Sequence, residues 1–153
     1  MSAATDAAGF RFAVVRSCTN PALTERLLSG ALDTLGKHGV GDDATRVIEV
    51  PGAFELPMMA AKLARGGHVD AIICVGALVR GETPHFDHLC AAVAQGIQWV
   101  AIQTGLPVTF GVLTCDTLDQ ARARAGGAKG NKGVEAAVAA IEMVHGFKRL
   151  DKE

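Results

Sequence analysis

The segment from Arg80 to His88 combines residue types that could bind an anion and move a proton. It reads Arg-Gly-Glu-Thr-Pro-His-Phe-Asp-His, with a glycine that permits close backbone approach and a proline of the kind that begins a helix. Backbone amides at the start of a helix favour a bound anion, most simply a phosphate. His85, one turn or less from that anion, would then suit general acid and base chemistry on a phosphorylated substrate.

The same segment also has simpler interpretations. A loop with glycine and proline between a strand and a helix is common punctuation, so the pattern alone does not establish phosphate binding. His85 and His88 are spaced to share a metal ion, but without a clear third ligand we rank proton transfer above metal binding. Cys90 follows in an apolar helical stretch, where cysteine is usually a core residue, and we reject a thiol nucleophile.

A second group of residues with affinity for anions lies near the carboxyl end. Arg124, Lys129 and Lys132 lie near four glycines at positions 126, 127, 130 and 133. Glycine lets the backbone bend while the cations stay within reach of an anion. The group is equally typical of a solvated helix cap. Glu55 could accept hydrogen bonds from a polar ligand or simply charge the first turn of its helix, and the residues leave both open.

Four apolar runs are expected to form the strands that position these residues, and each run is followed by a segment with helical spacing. The predicted strands are Phe12–Val15, Val47–Val50, Ala71–Val75 and Val108–Leu113. The predicted helices cover residues 21–35, 53–64, 84–103, 117–125 and 133–147, the first with Asn20 as its N-cap. Continuous apolar strands are typical of a sheet covered on both faces. The sequence therefore predicts an α/β fold, a three-layer sandwich with a four-stranded parallel sheet and helices on both faces.

In an open parallel sheet, ligands bind beyond the carboxyl ends of the strands. This rule selects four loops, at residues 16–20, 51–55, 77–85 and 114–116. The histidine segment lies in the third of them.

Length and composition narrow the class of protein. A chain of 153 residues is the size of one domain, residues 1–153, in which we expect residues 1–9 and the charged end at 148–153 to be loose. The net charge of -1 and the scattered basic residues argue against nucleic acid or membrane as a partner. The chain has four cysteines, Cys18, Cys74, Cys90 and Cys115. Without a CxxC pair they are expected to be core thiols of a cytoplasmic protein.

Four ordered motifs closely resemble those of one enzyme family. They are PGAFELP at 51–57, GALVRGETPHFD at 76–87, FGVLT at 110–114, and RAG at 124–126 followed by GNKG at 130–133. Together they resemble the 6,7-dimethyl-8-ribityllumazine synthases, and the resemblance extends from about residue 12 to residue 143. Four motifs in order across nearly the whole chain are far more specific than any one glycine pattern.

The resemblance implies a flavodoxin-like fold and a transferase of riboflavin biosynthesis. Such an enzyme condenses 5-amino-6-ribitylaminouracil with 3,4-dihydroxy-2-butanone 4-phosphate to 6,7-dimethyl-8-ribityllumazine, releasing phosphate and water. It needs neither a cofactor nor a metal ion. Members of the family are homo-oligomers, either pentamers or hollow icosahedral shells of sixty subunits built from pentamers.

The resemblance also assigns roles to individual residues. His85 matches the proton-transferring histidine and Arg124 the phosphate-binding arginine, with the phosphate loop at Gly81, Glu82 and Thr83. The other positions that match substrate-binding residues are Asn20, Ala53, Phe54, Glu55, Leu78, Val79, Phe110 and Lys132. Ala53 and Glu55 would hold the ribityl chain, and Leu78 and Val79 would line the pyrimidine. Phe110 and Lys132 would reach the site from the neighbouring subunit.

One position departs from the family pattern. Family members usually carry an aromatic residue just before the asparagine that follows the first strand, and this chain has Thr19 before Asn20. A threonine cannot stack on the pyrimidine, which removes roughly 0.5–1.5 kcal/mol of binding beyond lost burial. A catalytically weak structural or flavin-binding oligomer is therefore the alternative function. A receiver-like signalling module fits poorly, because Asp42 and Asp43 precede a strand rather than follow one.

Overall fold

The chain alternates strands with helices, as the sequence predicts. The computed structural model describes residues 6–153. The strands are β1 (Phe12–Ser17), β2 (Thr45–Val50), β3 (Ala71–Val79), β4 (Val108–Cys115), β5 (Ala125–Gly127) and β6 (Gly130–Asn131). The helices are α1 (Pro21–Lys37), α2 (Leu56–Gly66), α3 (His85–Thr104), α4 (Leu118–Ala123) and α5 (Lys132–Asp151). All the predicted elements are present, and each predicted strand runs further than its apolar run indicated.

Four of the strands form one parallel sheet in the order β2-β1-β3-β4. Helices α1 and α5 pack on one face of this sheet, and α2 and α3 pack on the other. The predicted three-layer α/β sandwich of the flavodoxin-like class is thus confirmed. Because all four strands point the same way, their carboxyl ends lie at one edge of the sandwich.

The sheet separates two apolar clusters. Val14 and Ile73 face the cluster beneath α1 and α5, whereas the next residue of each strand, Val15 and Cys74, faces the cluster beneath α2 and α3. All four side chains are fully buried. Burying one large aliphatic side chain stabilises a fold by about 1.5–3 kcal/mol, so the two central strands anchor both layers.

Strand β2 corrects one expectation. Its apolar run predicted cover on both faces, but β2 is an edge strand, and Val47 is 45% exposed. An edge strand has a neighbour on one side only, so the adjoining helices cover it less completely. Cover on both faces is found for β1 and β3, whose residues are buried almost throughout.

The segment after β4 differs from the predicted helix. Helix α4 ends at Ala123, and a short antiparallel hairpin of β5 and β6 follows. Gly126 and Gly130 have φ values of +94° and +86°, in the left-handed region that glycine enters without steric penalty. These two residues let the chain reverse direction before α5 begins.

Both ends of the described chain are more ordered than predicted. Residues 1–5 of the N-terminal segment lie outside the described residues. Ala7, however, is fully buried, and its N–H donates to the carbonyl of His38 at 2.6 Å. At the other end, α5 continues to Asp151, through most of the segment at 148–153 that was expected to be loose. Composition had indicated loose ends because it does not register these contacts.

Candidate active site

Three loops of the predicted site lie together at the carboxyl ends of β1, β2 and β3. The Thr19 hydroxyl donates to the carbonyl of Pro51 at 3.2 Å, and the Asn20 side-chain amide donates to the carbonyl of Ala77 at 2.8 Å. Pro51 follows β2, and Ala77 lies in β3. These two bonds therefore join the ends of three neighbouring strands.

Asn20 is the N-cap residue of α1, as predicted, but its side chain does not form the cap. Its φ of 56° and ψ of 60° are left-handed, and its side chain makes no capping hydrogen bond. Its carbonyl instead accepts the N–H groups of Leu23 and Thr24, at 3.0 and 3.1 Å, which begins the helix. Asparagine is one of the few residues that adopt this conformation readily. Its side chain thereby remains available to tie the loop to β3.

The loop after β2 forms a tight turn at Ala53–Glu55. One carboxylate oxygen of Glu55 accepts the N–H of Gly52 at 2.9 Å, so the carboxylate has a local structural partner. Ala53 is buried, and Phe54 is 64% exposed. The turn thus presents an aromatic ring and a partly buried carboxylate beside the start of α2.

The loop before α3 is open to solvent. Gly81, Glu82, Thr83 and His85 are all exposed, and the N–H of His85 donates to the Thr83 hydroxyl at a long 3.4 Å. Helix α3 begins at His85, so this imidazole projects from the first turn, where the helix dipole is positive. The arrangement fits an anion held by the loop with a proton donor next to it.

The side chains of Leu78 and Val79 lie on opposite faces of β3. Leu78 is 6% exposed and belongs to the cluster beneath α2 and α3, whereas Val79 packs against the other cluster. Consecutive residues of a strand point to opposite faces. A ligand on the α2 and α3 side can therefore contact the side chain of Leu78, but only the backbone of Val79.

Arg124 and Lys132 lie together in a separate polar cavity. The N–H of Lys132 donates to the carbonyl of Arg124 at 2.9 Å, which links the end of α4 to the start of α5. Both residues line a cavity of about 530 Å³ beside the end of β4, together with Thr114 and Glu135. The cavity contains the cations and the hydroxyl that an anionic group requires.

The structure thus divides the predicted site residues of one chain into two groups. The first group, with His85 and Glu55, lies at the ends of β1 to β3. The second, with Arg124 and Lys132, lines the polar cavity, and His85 is not among the described residues that line it. Phe110 packs on the α2 and α3 face of β4.

Comparison with known proteins identifies the family. The family model of 6,7-dimethyl-8-ribityllumazine synthase matches residues 9–148. The chain is also 50% identical, over 139 residues, to a 6,7-dimethyl-8-ribityllumazine synthase of Desulfatibacillum aliphaticivorans, covering 91% of this chain and 90% of that protein. The chain belongs to the lumazine synthase family. Both matches span the two groups of site residues and all four motifs.

This lumazine synthase chain also contains a buried arginine whose role the sequence did not indicate. Arg16 was assigned to a loop, but it lies within β1 and is only 8% exposed. Its guanidinium donates to the Thr24 hydroxyl at 3.1 Å and to a carboxylate oxygen of Glu49 at 2.7 Å. It therefore fixes the start of α1 against β1 and β2. Its position directly after the apolar run Phe12–Val15 was the available signal.

Glu135 is a second residue of the candidate site that sequence reasoning missed. It lines the polar cavity with Arg124 and Lys132. A residue three positions after Lys132 in a helix lies on the same side as Lys132. That spacing was the signal that could have found it.

The four cysteines are not uniformly core residues. Cys74 and Cys115 are buried as predicted, but Cys90 is half-buried and Cys18 is exposed. Burial raises the pKa of Cys74 to about 12. Burial, and then the nearby charge of Asp87, raise the pKa of Cys90. A thiol that stays protonated is a poor nucleophile, which agrees with the rejection of Cys90.

Two kinds of feature are absent from residues 6–153. No group of three or more His, Cys, Asp or Glu side chains in this range could hold a metal ion. None of the helices in the same range is both long and apolar enough to cross a membrane.

Proposed function

We propose that this chain forms 6,7-dimethyl-8-ribityllumazine at a site that two neighbouring chains share. The substrates are 5-amino-6-ribitylaminouracil and 3,4-dihydroxy-2-butanone 4-phosphate, and phosphate and water are released. His85 of one chain transfers protons, and Arg124 of the next chain binds the phosphate. Phe110 and Lys132 of that second chain complete the site.

The observation that carries this proposal is that His85 is not among the described residues lining the cavity that Arg124 and Lys132 share. His85 projects from the open end of α3, whereas Arg124 and Lys132 line a cavity beside the end of β4. Both groups lie in motifs of one enzyme family. A second chain that brings its cationic cavity towards the loop of the first would unite them.

The reaction requires that the two substrates are held together and that protons are transferred. The ring amine attacks the ketone to give an imine, phosphate leaves by elimination, and the second ring closes. Holding two substrates in a reactive pose can remove roughly 7–11 kcal/mol of barrier, and a positioned acid or base adds a factor of about 10² to 10⁴. His85, exposed beside the phosphate loop, can exchange protons with the reacting atoms.

An exposed apolar surface supports the assembly. Phe54, Met58 and Trp99 are 64%, 80% and 54% exposed, and they line a groove of about 830 Å³ between α2 and α3. Surfaces of this kind usually mark an interaction site. We assign the groove to the contact between subunits of a pentamer, which stands alone or forms part of a sixty-subunit shell.

Two further proposals concern the chain as a whole. We assign residues 1–153 to a single domain, because both core clusters share one sheet. Four free cysteines favour a reducing compartment, and we propose the cytoplasm.

The direct test is an assay with both substrates in which lumazine formation is followed by absorbance. His85→Ala should lower kcat by about 10² to 10⁴ while the KM for the pyrimidine stays within about twofold. His68→Ala is the matched control, because His68 is exposed at the amino end of β3. Bound flavin without lumazine formation by the unmodified protein would instead establish the binding oligomer.

Co-expression of two impaired variants tests whether neighbouring chains share the site. His85→Ala and Arg124→Ala chains, co-expressed in equal amounts, should regain activity, because about one site in four then receives both native residues at a head-to-tail interface. The separately expressed variants, combined after purification without dissociation, serve as the control. A co-expressed sample no more active than this control would show that one chain supplies both residues.

A further inference from the structure

Arg80 connects three parts of the structure around the phosphate loop. Its Nη1 and Nη2 atoms lie 3.1 Å from the two carboxylate oxygens of Asp87, and its Nε lies 2.7 Å from Oδ1 of Asp116. The guanidinium carbon also lies 4.6 Å from the centroid of the Phe86 ring. Arg80 follows β3, Asp87 belongs to the first turn of α3, and Asp116 follows β4.

These contacts enclose the loop that carries the proposed phosphate site. Arg80 and Asp87 flank residues 81–86, so their paired contact brings the two ends of the loop together. The backbone N–H of Arg80 also donates to the carbonyl of Cys115 at 2.9 Å, which extends the pairing of β3 with β4. The near end of the loop is therefore fixed to the sheet, and the far end is fixed to Arg80.

Within the loop, the contacts are weaker. Gly81, Glu82 and Thr83 are exposed, and the bond from the N–H of His85 to the Thr83 hydroxyl is 3.4 Å long. An added Cβ at Gly81 would meet nothing within 4 Å, so nothing packs against that side of the residue. The geometry of the loop consequently depends on what holds its two ends.

The exposure of these groups favours positioning over global stability. The side chains of Arg80, Asp87 and Asp116 are 43%, 59% and 64% exposed. Ion pairs this exposed add little to the stability of a fold. A guanidinium shared between two carboxylates does, however, fix direction, because its planar fork matches carboxylate oxygens.

We infer that Arg80 is a positioning residue that holds the loop at 81–85 in the geometry needed to bind the phosphorylated ketone. It acts through Asp87 and Asp116 and does not contact the substrate. The inference rests on the proposed function for its substrate, while the contacts that support it lie within one chain.

Kinetics of matched variants test the inference. Arg80→Ala should raise the KM for the phosphorylated ketone about tenfold and leave the KM for the pyrimidine within about twofold. Arg80→Lys keeps the charge but not the fork, and should raise the ketone KM about threefold. Asp87→Asn should raise it by a similar factor but add little in an Arg80→Ala background, since the two residues act together. Asp119→Asn removes a more exposed arginine contact on α4, away from the loop, and is the control.

Amide hydrogen exchange separates positioning from direct binding. Without substrate, exchange at residues 81–85 should be faster in Arg80→Ala than in the unmodified protein, and unchanged in Asp119→Asn. A raised ketone KM with unchanged exchange would make Arg80 a phosphate ligand and overturn the inference, as would an unchanged KM. If Arg80→Ala does not fold, Arg80→Lys and Asp87→Asn decide the matter by the same measurements. An unmodified protein that forms no lumazine refutes the proposed function, and exchange still tests the role of Arg80.

Discussion

Gly133 lies where the start of α5 touches the backbone of α1, and Gly133→Ala is expected to destabilise the protein. A Cβ at this position would overlap the carbonyl oxygen of Leu27 and lie 2.7 Å from its carbonyl carbon. Real Cβ atoms do not approach other atoms so closely. Because the obstacle is backbone rather than the tip of a flexible side chain, the two helices would have to move apart.

The expected loss is the difference between two opposing effects. Alanine is favoured over glycine within a helix by about 1 kcal/mol. Overpacking costs about 1–3 kcal/mol, and an obstacle formed by backbone places this site near the upper end. The net change is a destabilisation of about 2 kcal/mol, which for a chain of this length lowers Tm by about 4–8 °C.

The measurement is denaturant unfolding at one fixed protein concentration, because the proposed assembly would make the midpoint depend on concentration. Gly36→Ala is the control. Gly36 also lies in a helix, but an added Cβ there would meet nothing within 4 Å, so the expected change is a stabilisation of up to about 1 kcal/mol. The reasoning is refuted if Gly133→Ala unfolds at the same midpoint as the unmodified protein or at a higher one.

Three further predictions concern the loop after β1. Asn20→Ala should be less stable than Asn20→Gly by about 1 kcal/mol, because both lose the bond to Ala77 but only alanine is strained at a φ of 56°; equal denaturation midpoints would contradict this. Thr19→Phe should lower the KM for the pyrimidine about two- to tenfold by restoring a stacking surface, and an unchanged or higher KM would argue against stacking at this position. Partial desolvation of the exposed Cys18 thiol, and then its hydrogen bond to Glu49, raise the pKa of Cys18, so its reactive thiolate is scarcer than that of an ordinary cysteine at pH 8. Glu49→Gln should therefore speed alkylation of Cys18, measured by mass spectrometry, and an unchanged rate would show that Glu49 has no such effect.

The layout of the fold was predictable because it depends on local pattern. The spacing of apolar residues over a short window predicts a strand or a helix, as it does for Ala71–Val79 and Pro21–Lys37. Alternation of the two then favours a parallel sheet with right-handed crossovers. The edge of the sheet at which His85 lies was predictable as well, because the loops that follow parallel strands share one edge.

The details that failed depend on partners remote in sequence. Asn20 is the predicted N-cap of α1, but only the nearness of Ala77 in β3 explains why its side-chain amide does not form the cap. Arg16 was predicted to lie in a loop, but it lies in β1 and its guanidinium bonds to Glu49 and Thr24. In each case the side chain bonds to a residue that is distant along the chain, and the sequence does not show which residue that is.

By itself, the sequence determined that a histidine follows the third strand, that cations cluster before the last helix, and that both belong to motifs of one enzyme family. Only the tertiary structure decided that Arg80 joins Asp87 to Asp116, that Gly133 must lack a side chain because Leu27 lies against it, and that Arg124 and Lys132 line a cavity whose described lining does not include His85. The physical reason is that residue spacing sets local conformation, whereas distances between separate segments arise when the helices pack onto the sheet.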